Sequence, residues 1–370
     1  MGASVSTETG DPVLASPASF PDLLMRWVTD GKIVGEDKPK RPSSHLVVRS
    51  ACSGICAEMK ALDLLGWSHS AAFICEKDEK LRRLSQCMHA VPTAFPDVMS
   101  MEFLQNSATC DVFVSGFPCQ PYSQAGSGRG FADMVNGGFI CTYLCKWLFL
   151  HRPAVFLLEN VPGLLRQEPE TFWLLLTTLS NMPDSHGQPL YDVSWKILCC
   201  SEHGYLPQNR RRIFIAGTLK SACRSTMVWP GAVPMQPLQN YIDAAMGTDE
   251  DLFALSASER RVLSMTMKKL LRKGAEPRRE YYMCDINSSY GNAMLGKCPT
   301  LTRCRCASGG FWITCRQRKT NLSEIASLQG MSLSEFPDSF VTGRQLRQAL
   351  GNSIPVPLLA RVLRSLLSCL

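Results

Sequence analysis

The chain has 370 residues, 45% of them hydrophobic, and carries 39 Lys and Arg against 32 Asp and Glu. That length and apolar content suffice for one large and one smaller folded unit and exclude an intrinsically disordered chain. No apolar run reaches the roughly 18 residues that a membrane-crossing helix needs, and Met1–Asp11 lacks the basic-then-apolar pattern of a secretory leader; the seventeen cysteines are therefore expected as reduced, mostly buried thiols of an intracellular protein.

Residues 1–44 are rich in Ser, Pro and Gly and read as a flexible tail with one short helix over 20–28. Met1-Gly2-Ala3-Ser4-Val5-Ser6 also fits an N-myristoylation pattern. From His45 the pattern alternates. Strands are predicted at 46–48, 71–75, 111–115 and 154–158, interleaved with helices at 55–65, 78–88, 139–150 and 170–181. Two more strands follow at 191–200 and 212–216, and a Gly-rich loop runs from the third strand to Gly138. Such alternation argues for an α/β fold with a parallel sheet. After Gly217 the rhythm breaks into prolines and short pieces, so residues 218–344 are expected as a smaller domain. Residues 345–370, with an amphipathic helix after Gly351-Asn352, would complete the large domain of 45–217. Between Glu259 and Lys319 stand 14 Lys and Arg against 4 Asp and Glu, while the rest is slightly acidic. That excess fits either a polyanionic partner or the solvated face of a helix around 268–273.

The residues with chemical potential fall at strand boundaries, where open α/β sheets bind ligands. Cys119 sits between Pro118 and Pro121 just beyond a strand, in a stiff loop suited to a nucleophile. Glu159 ends a fully apolar run, so it either caps the next helix or works on a ligand. In Gln208-Asn209-Arg210-Arg211-Arg212, alternation places Arg210 and Arg212 on one face. Ser53-Gly54 follows the first strand, and Glu76 ends the second. That pair fits a nucleoside with its ribose hydroxyls, or else Glu76 is a solvated rim residue. Cys298, Cys304, Cys306 and Cys315 form no C-x-x-C pair, and no histidine follows His203, so no metal is expected.

Together, Gly116-Phe117-Pro118-Cys119-Gln120-Pro121, Glu159-Asn160-Val161-Pro162-Gly163, Pro207–Arg212 and Gly351-Asn352-Ser353-Ile354-Pro355 resemble the cytosine-5 DNA methyltransferases, over about 45–217 and 320–370. The stretch Ser323–Gly330 with Phe336-Pro337-Asp338 adds a fifth point of likeness. The resemblance implies a Rossmann-like S-adenosylmethionine-dependent methyltransferase fold, with 218–344 as the target-recognition domain. It implies that Cys119 attacks C6 of a flipped-out cytosine, that Glu159 contacts N3 and the exocyclic amine, that Arg212 contacts O2, and that Arg210 lies close to the nucleophile. Tyr122–Asp133 would be the loop that closes over the base. Gly54, Glu76, Asp97, Phe117 and Asn352 would hold S-adenosylmethionine. The implied partner is double-stranded DNA, bound by a monomer, in the nucleus if the source is a eukaryote. Two departures bear on cofactor affinity: Cys52 stands where the family has an aromatic residue beside a single glycine, and Lys77 stands where an apolar residue is common. A transfer-RNA methyltransferase and a nucleic-acid-binding pseudoenzyme are the competing readings.

Overall fold

The structure is a computed structural model that describes residues 19–31, 33, 44–105, 110–118 and 139–370. Cys119, the Tyr122–Asp133 loop and the Gly2 motif lie outside the described residues.

Seven strands form the main sheet: β1 (Leu46–Ala51), β2 (His69–Cys75), β3 (Ala94–Phe95), β4 (Val112–Ser115), β5 (Val155–Asn160), β6 (Tyr191–Cys199) and β7 (Arg211–Leu219). Their order is β3-β2-β1-β4-β5-β7-β6. The first five run parallel, whereas β7 is antiparallel to both β5 and β6. The sheet is thus mixed, and the expectation of an all-parallel sheet is corrected at β7.

Apolar residues fill both faces because successive side chains point to opposite sides of a strand. Val112, Val114, Val155 and Leu157 pack in one cluster with the helices Ala57–Leu65 and Val356–Leu367. Phe113, Phe156 and Leu158 pack in the other with the helices Ile140–His151 and Pro169–Ser180. Gly217 is needed where it stands: a Cβ there would lie 2.0 Å from the Phe156 ring. The helix expected at 20–28 spans Phe20–Thr29 and is docked rather than free. A Ser19/Asp22 capping box starts it, and Trp27 meets the Tyr143 ring edge-on at 4.9 Å.

Four short strands, β8 (Tyr282–Asp285), β9 (Asn292–Leu295), β10 (Trp312–Ile313) and β11 (Arg318–Lys319), form an antiparallel sheet in the order β11-β10-β8-β9. Cys284 and Trp312 pack against Val262 and Leu263 of the helix Ala257–Arg272. Met283 and Ile313 on the other face join the same cluster as the C-terminal helices. A buried ion pair secures this region. Arg318 donates to both carboxylate oxygens of Glu324, at 3.0 and 2.7 Å. Glu324 also accepts from the backbone N–H groups of Asp243 and Asn321, at 2.9 and 2.8 Å.

Candidate active site

A cleft of about 950 Å3 opens over the carboxyl ends of β1, β2, β4 and β5. It lies beside the β1–β4 contact, where the chain order across the sheet reverses. Cys52–Gly54 follow β1, Glu76 follows β2, Asp97 follows β3, Gly116–Pro118 follow β4, and Glu159 is the fifth residue of β5; all of them line this cleft.

Arg212 reaches the same rim for a different reason. It is the second residue of β7, so in a parallel sheet it would sit at the opposite edge. Because β7 runs antiparallel to β5, with Asn160 opposite Ile213, the start of β7 lies beside the end of β5. The Arg212 Nε is consequently 2.9 Å from Glu159 Oε1. Both residues are nearly buried, at 8% and 7% exposure. Oε1 is itself buried, so this contact is closed to solvent. The two side chains form a buried charge pair in the cleft wall. Burial raises the Glu159 carboxyl above its ordinary value, and Arg212 and Arg210 only partly offset this. The next residue sets the neighbouring loop: Asn160 donates through Nδ2 to the Phe117 carbonyl at 3.2 Å, fixing the backbone that leads through Pro118 to Cys119.

Arg210 is placed differently from its neighbour. Its guanidinium donates to the backbone carbonyls of Leu301, Gly351, Asn352 and Ser353. Burial, with Arg212 nearby, pulls its pKa down to about 9. This side chain clasps three distant segments into one wall of the cleft. Gln208 and Gln329 do related work out of sight of solvent. Gln208 donates to the Leu328 carbonyl at 2.8 Å, and Gln329 to the Leu350 carbonyl. Three sequence blocks far apart in the chain meet in this way, and no spacing rule would have shown the amides joining them.

The opposite half of the cleft suits a nucleoside. Cys52, Gly54 and Cys56 all have positive φ, at 52°, 55° and 55°, and this tight turn exposes the backbone at Gly54. A Cβ on Gly54 would meet nothing within 4 Å, so that face is open. Glu76 accepts from the Gly54 N–H at 2.8 Å and the Asp78 N–H at 2.9 Å, which pins the carboxylate and leaves further lone pairs for hydroxyl donors. Asp97 is braced by the Met99 N–H at 2.9 Å. Phe117 is buried at the junction of the two halves, and Asn352 lies on the far wall. Burial, with Glu76 nearby, pushes the Cys52 thiol up to about 12. Glu58 escaped sequence reading. It is 4% exposed in the first turn of the helix Ala57–Leu65 and lines the cleft, and burial pushes it up to about 7. An acid in the first turn after the first strand was the available signal. Among the described residues no group of three or more His, Cys, Asp or Glu is placed to hold a metal ion.

The family model for C-5 cytosine-specific DNA methylases matches residues 68–368. The chain belongs to this family. Among curated relatives, this cytosine-5 methylase is 28% identical to the type II methyltransferase M.DsaV of Dactylococcopsis salina, over 70% of this chain and 69% of that one. It is 27% identical to the type II methyltransferase M.SsoII of Shigella sonnei, over 70% of this chain and 64% of that one. The chain thus spans about two thirds of the length of these relatives. Among solved structures, the Dnmt2 methyltransferase of S. pombe aligns over 87% of the methylase and 98% of its own chain, with a TM-score of 0.56 and 16% identity. That likeness carries the fold, a methyltransferase α/β sheet. Among the described residues no helix of the methylase is long and apolar enough to cross a membrane.

Proposed function

We propose that this methylase transfers a methyl group from S-adenosylmethionine to C5 of cytosine in DNA, through a covalent bond between Cys119 and a flipped-out base. The observation that carries the reading is the buried Glu159–Arg212 pair. It lines the cleft at the strand end that also holds the backbone leading to Cys119. The C5 and C6 atoms of cytosine are enclosed in a duplex, so the base must leave the stack to meet these groups.

In this mechanism the Cys119 thiolate forms an S–C6 bond, and the ring electrons move toward N3 and C5. Glu159, its pKa raised by burial, holds a proton at N3 and accepts from the exocyclic amine. Arg212 steadies O2 and the Glu159 carboxyl together. When bound, S-adenosylmethionine supplies an electrophilic methyl group. C5 accepts that methyl, leaving the cofactor as the neutral thioether S-adenosylhomocysteine; a base then removes the C5 proton, and the S–C6 bond breaks to return the thiolate. Arg210 acts by shaping the wall, since its Nη1 and Nη2 groups donate to backbone carbonyls. The open turn at Gly54, the braced carboxylates of Glu76 and Asp97, and the apolar Phe117 suit the cofactor, with Asn352 closing the far side. Residues 45–217 with 345–370 form the catalytic and cofactor-binding part in this reading, and the basic 218–344 region is the target-recognition part.

The test is methyl transfer from labelled cofactor to duplex DNA and to transfer RNA, with wild type and Cys119→Ala. The expected result is label on DNA alone, lost in the variant. A duplex containing 5-fluorocytosine should become covalently linked to the wild type. Label on transfer RNA alone, or full activity of the variant, overturns the reading.

A further inference from the structure

One edge of the main sheet is long and carries no partner strand among the described residues. β6 stands last in the strand order and spans nine residues, against roughly five or six for a typical strand. Its one strand neighbour there is β7. An edge of this length is a template for another strand, and soluble proteins cover it or charge it.

The register shows which backbone groups face outward. The Cys200 N–H donates to the Arg210 carbonyl, and the Leu190 carbonyl accepts from the Lys220 N–H, in the same ladder that sets Ser194 opposite Ala216. Bonded and non-bonded pairs alternate along an antiparallel ladder. The even-numbered residues of β6 therefore bond to β7, while Tyr191, Val193, Trp195 and Ile197 turn N–H and C=O outward. Val193, Trp195 and Ile197 pack on the side of the helix Pro169–Ser180. The Trp195 ring meets Phe172 at 5.0 Å and Trp173 at 6.3 Å, and Trp173 remains 50% exposed. Side chains alternate between faces, so Asp192, Ser194 and Lys196 share the other face; Asp192 and Lys196 are exposed there.

We propose that β6 pairs antiparallel with β6 of a second copy of this chain, about a twofold axis at Ser194. In that register the strand complements itself. The outward groups of Val193 meet those of the partner's Trp195, and those of Tyr191 meet the partner's Ile197. Asp192 stands opposite the partner's Lys196, twice over, and opposite charges facing across strands attract. Charges that only protect an edge repel a second copy; these have opposite signs at equal distances from the axis. On the other face, Trp173 and Trp195 of both copies extend one apolar strip. Because β6 runs parallel to β5, the two clefts open at opposite ends of the fused sheet and neither is blocked. The resemblance implies a monomer; this edge implies a symmetric dimer.

The experiment is sedimentation equilibrium of the full chain from low to high micromolar concentration, with melting temperature as the control for folding. Wild type is expected to reach twice the chain mass. Asp192→Lys sets lysine against lysine, and Lys196→Asp sets aspartate against aspartate; each should raise the dimer dissociation constant about tenfold. Mixing the two variants restores both attractive pairs, so the mixture should dimerise where neither does alone. Ser194→Cys lies on the axis, at a non-bonded pair whose Cα atoms stand about 4.5 Å apart, and copper phenanthroline should oxidise it to a disulfide between the two copies, located by peptide mass. A wild type that stays monomeric throughout, as it would with its own tail laid along β6, removes the proposal. A dimer that both reversals leave intact, a mixture no tighter than its components, or a disulfide that bypasses position 194 removes it as well.

Discussion

Among the described residues, two buried glutamate–arginine pairs are built to opposite ends. In the small sheet, Glu324 receives two hydrogen bonds from Arg318 and two from backbone N–H groups, so its carboxylate is fully occupied. That carboxylate in turn raises the Arg318 pKa. At the main sheet, Glu159 meets Arg212 through Oε1 at 2.9 Å on the wall of the cleft, and burial raises its pKa. A saturated pair holds structure together. A pair on the cleft wall, its carboxyl raised by burial, can meet a ligand, as the cytosine edge of the proposed reaction requires.

Substituting each glutamate separates the two roles. Glu159→Gln should cost methyl transfer about 10²- to 10⁴-fold with little change in melting temperature; a variant that keeps its rate would erase the distinction. Glu324→Gln should do the reverse. Breaking a buried, hydrogen-bonded pair costs about 3–5 kcal/mol, seen in denaturant melts, while the folded fraction keeps its rate per molecule.

The pH dependence sharpens the contrast. Because the folded pKa of Glu159 lies above its ordinary value of 4.5, the native state holds a proton there that the unfolded chain has released. Its contribution to stability is therefore highest at low pH and falls as pH rises through that interval. His151 acts oppositely: held at about 4 by burial against an ordinary 6.5, it drains stability as pH falls between those values. The difference between wild type and Glu159→Gln cancels the histidine and should isolate a falling slope; a flat difference across melts from pH 4 to 8 would contradict the raised carboxyl. The smallest effect is expected at Asn160→Ala, which loses the brace on the Phe117 carbonyl. It should cost about 1 kcal/mol of stability and lower kcat while leaving cofactor affinity alone, as read by titration and steady-state rates.

Much of the site was legible because apolar runs end abruptly. The breaks at Pro118, Glu159 and Glu76 marked strand ends, and strand ends converge in an open sheet. Strand direction was not legible, since an apolar run reads the same both ways. Arg212 is assigned to the site by resemblance, and the reversal of β7 is the physical reason it arrives there. The strand Ala94–Phe95 is too short to show a period, and the helix Gly343–Asn352 buries only Leu346, Ala349, Leu350 and Gly351. Its Thr342/Gln345 capping box was the cue available. The role of Arg210 was hidden because its four acceptors are backbone carbonyls at least 91 positions away.

The clasp made by Arg210 bears on how the protein is synthesised. Helix Val356–Leu367 covers the helix that follows the first strand, with Leu359, Val362 and Leu363 packed among Ile55, Met59 and Leu62. A nascent chain emerging from the ribosome must hold that greasy surface uncovered until some three hundred further residues have been translated. Chaperone protection during this wait, and inertness of any prematurely terminated product, follow from having the cover of that first helix encoded so far downstream.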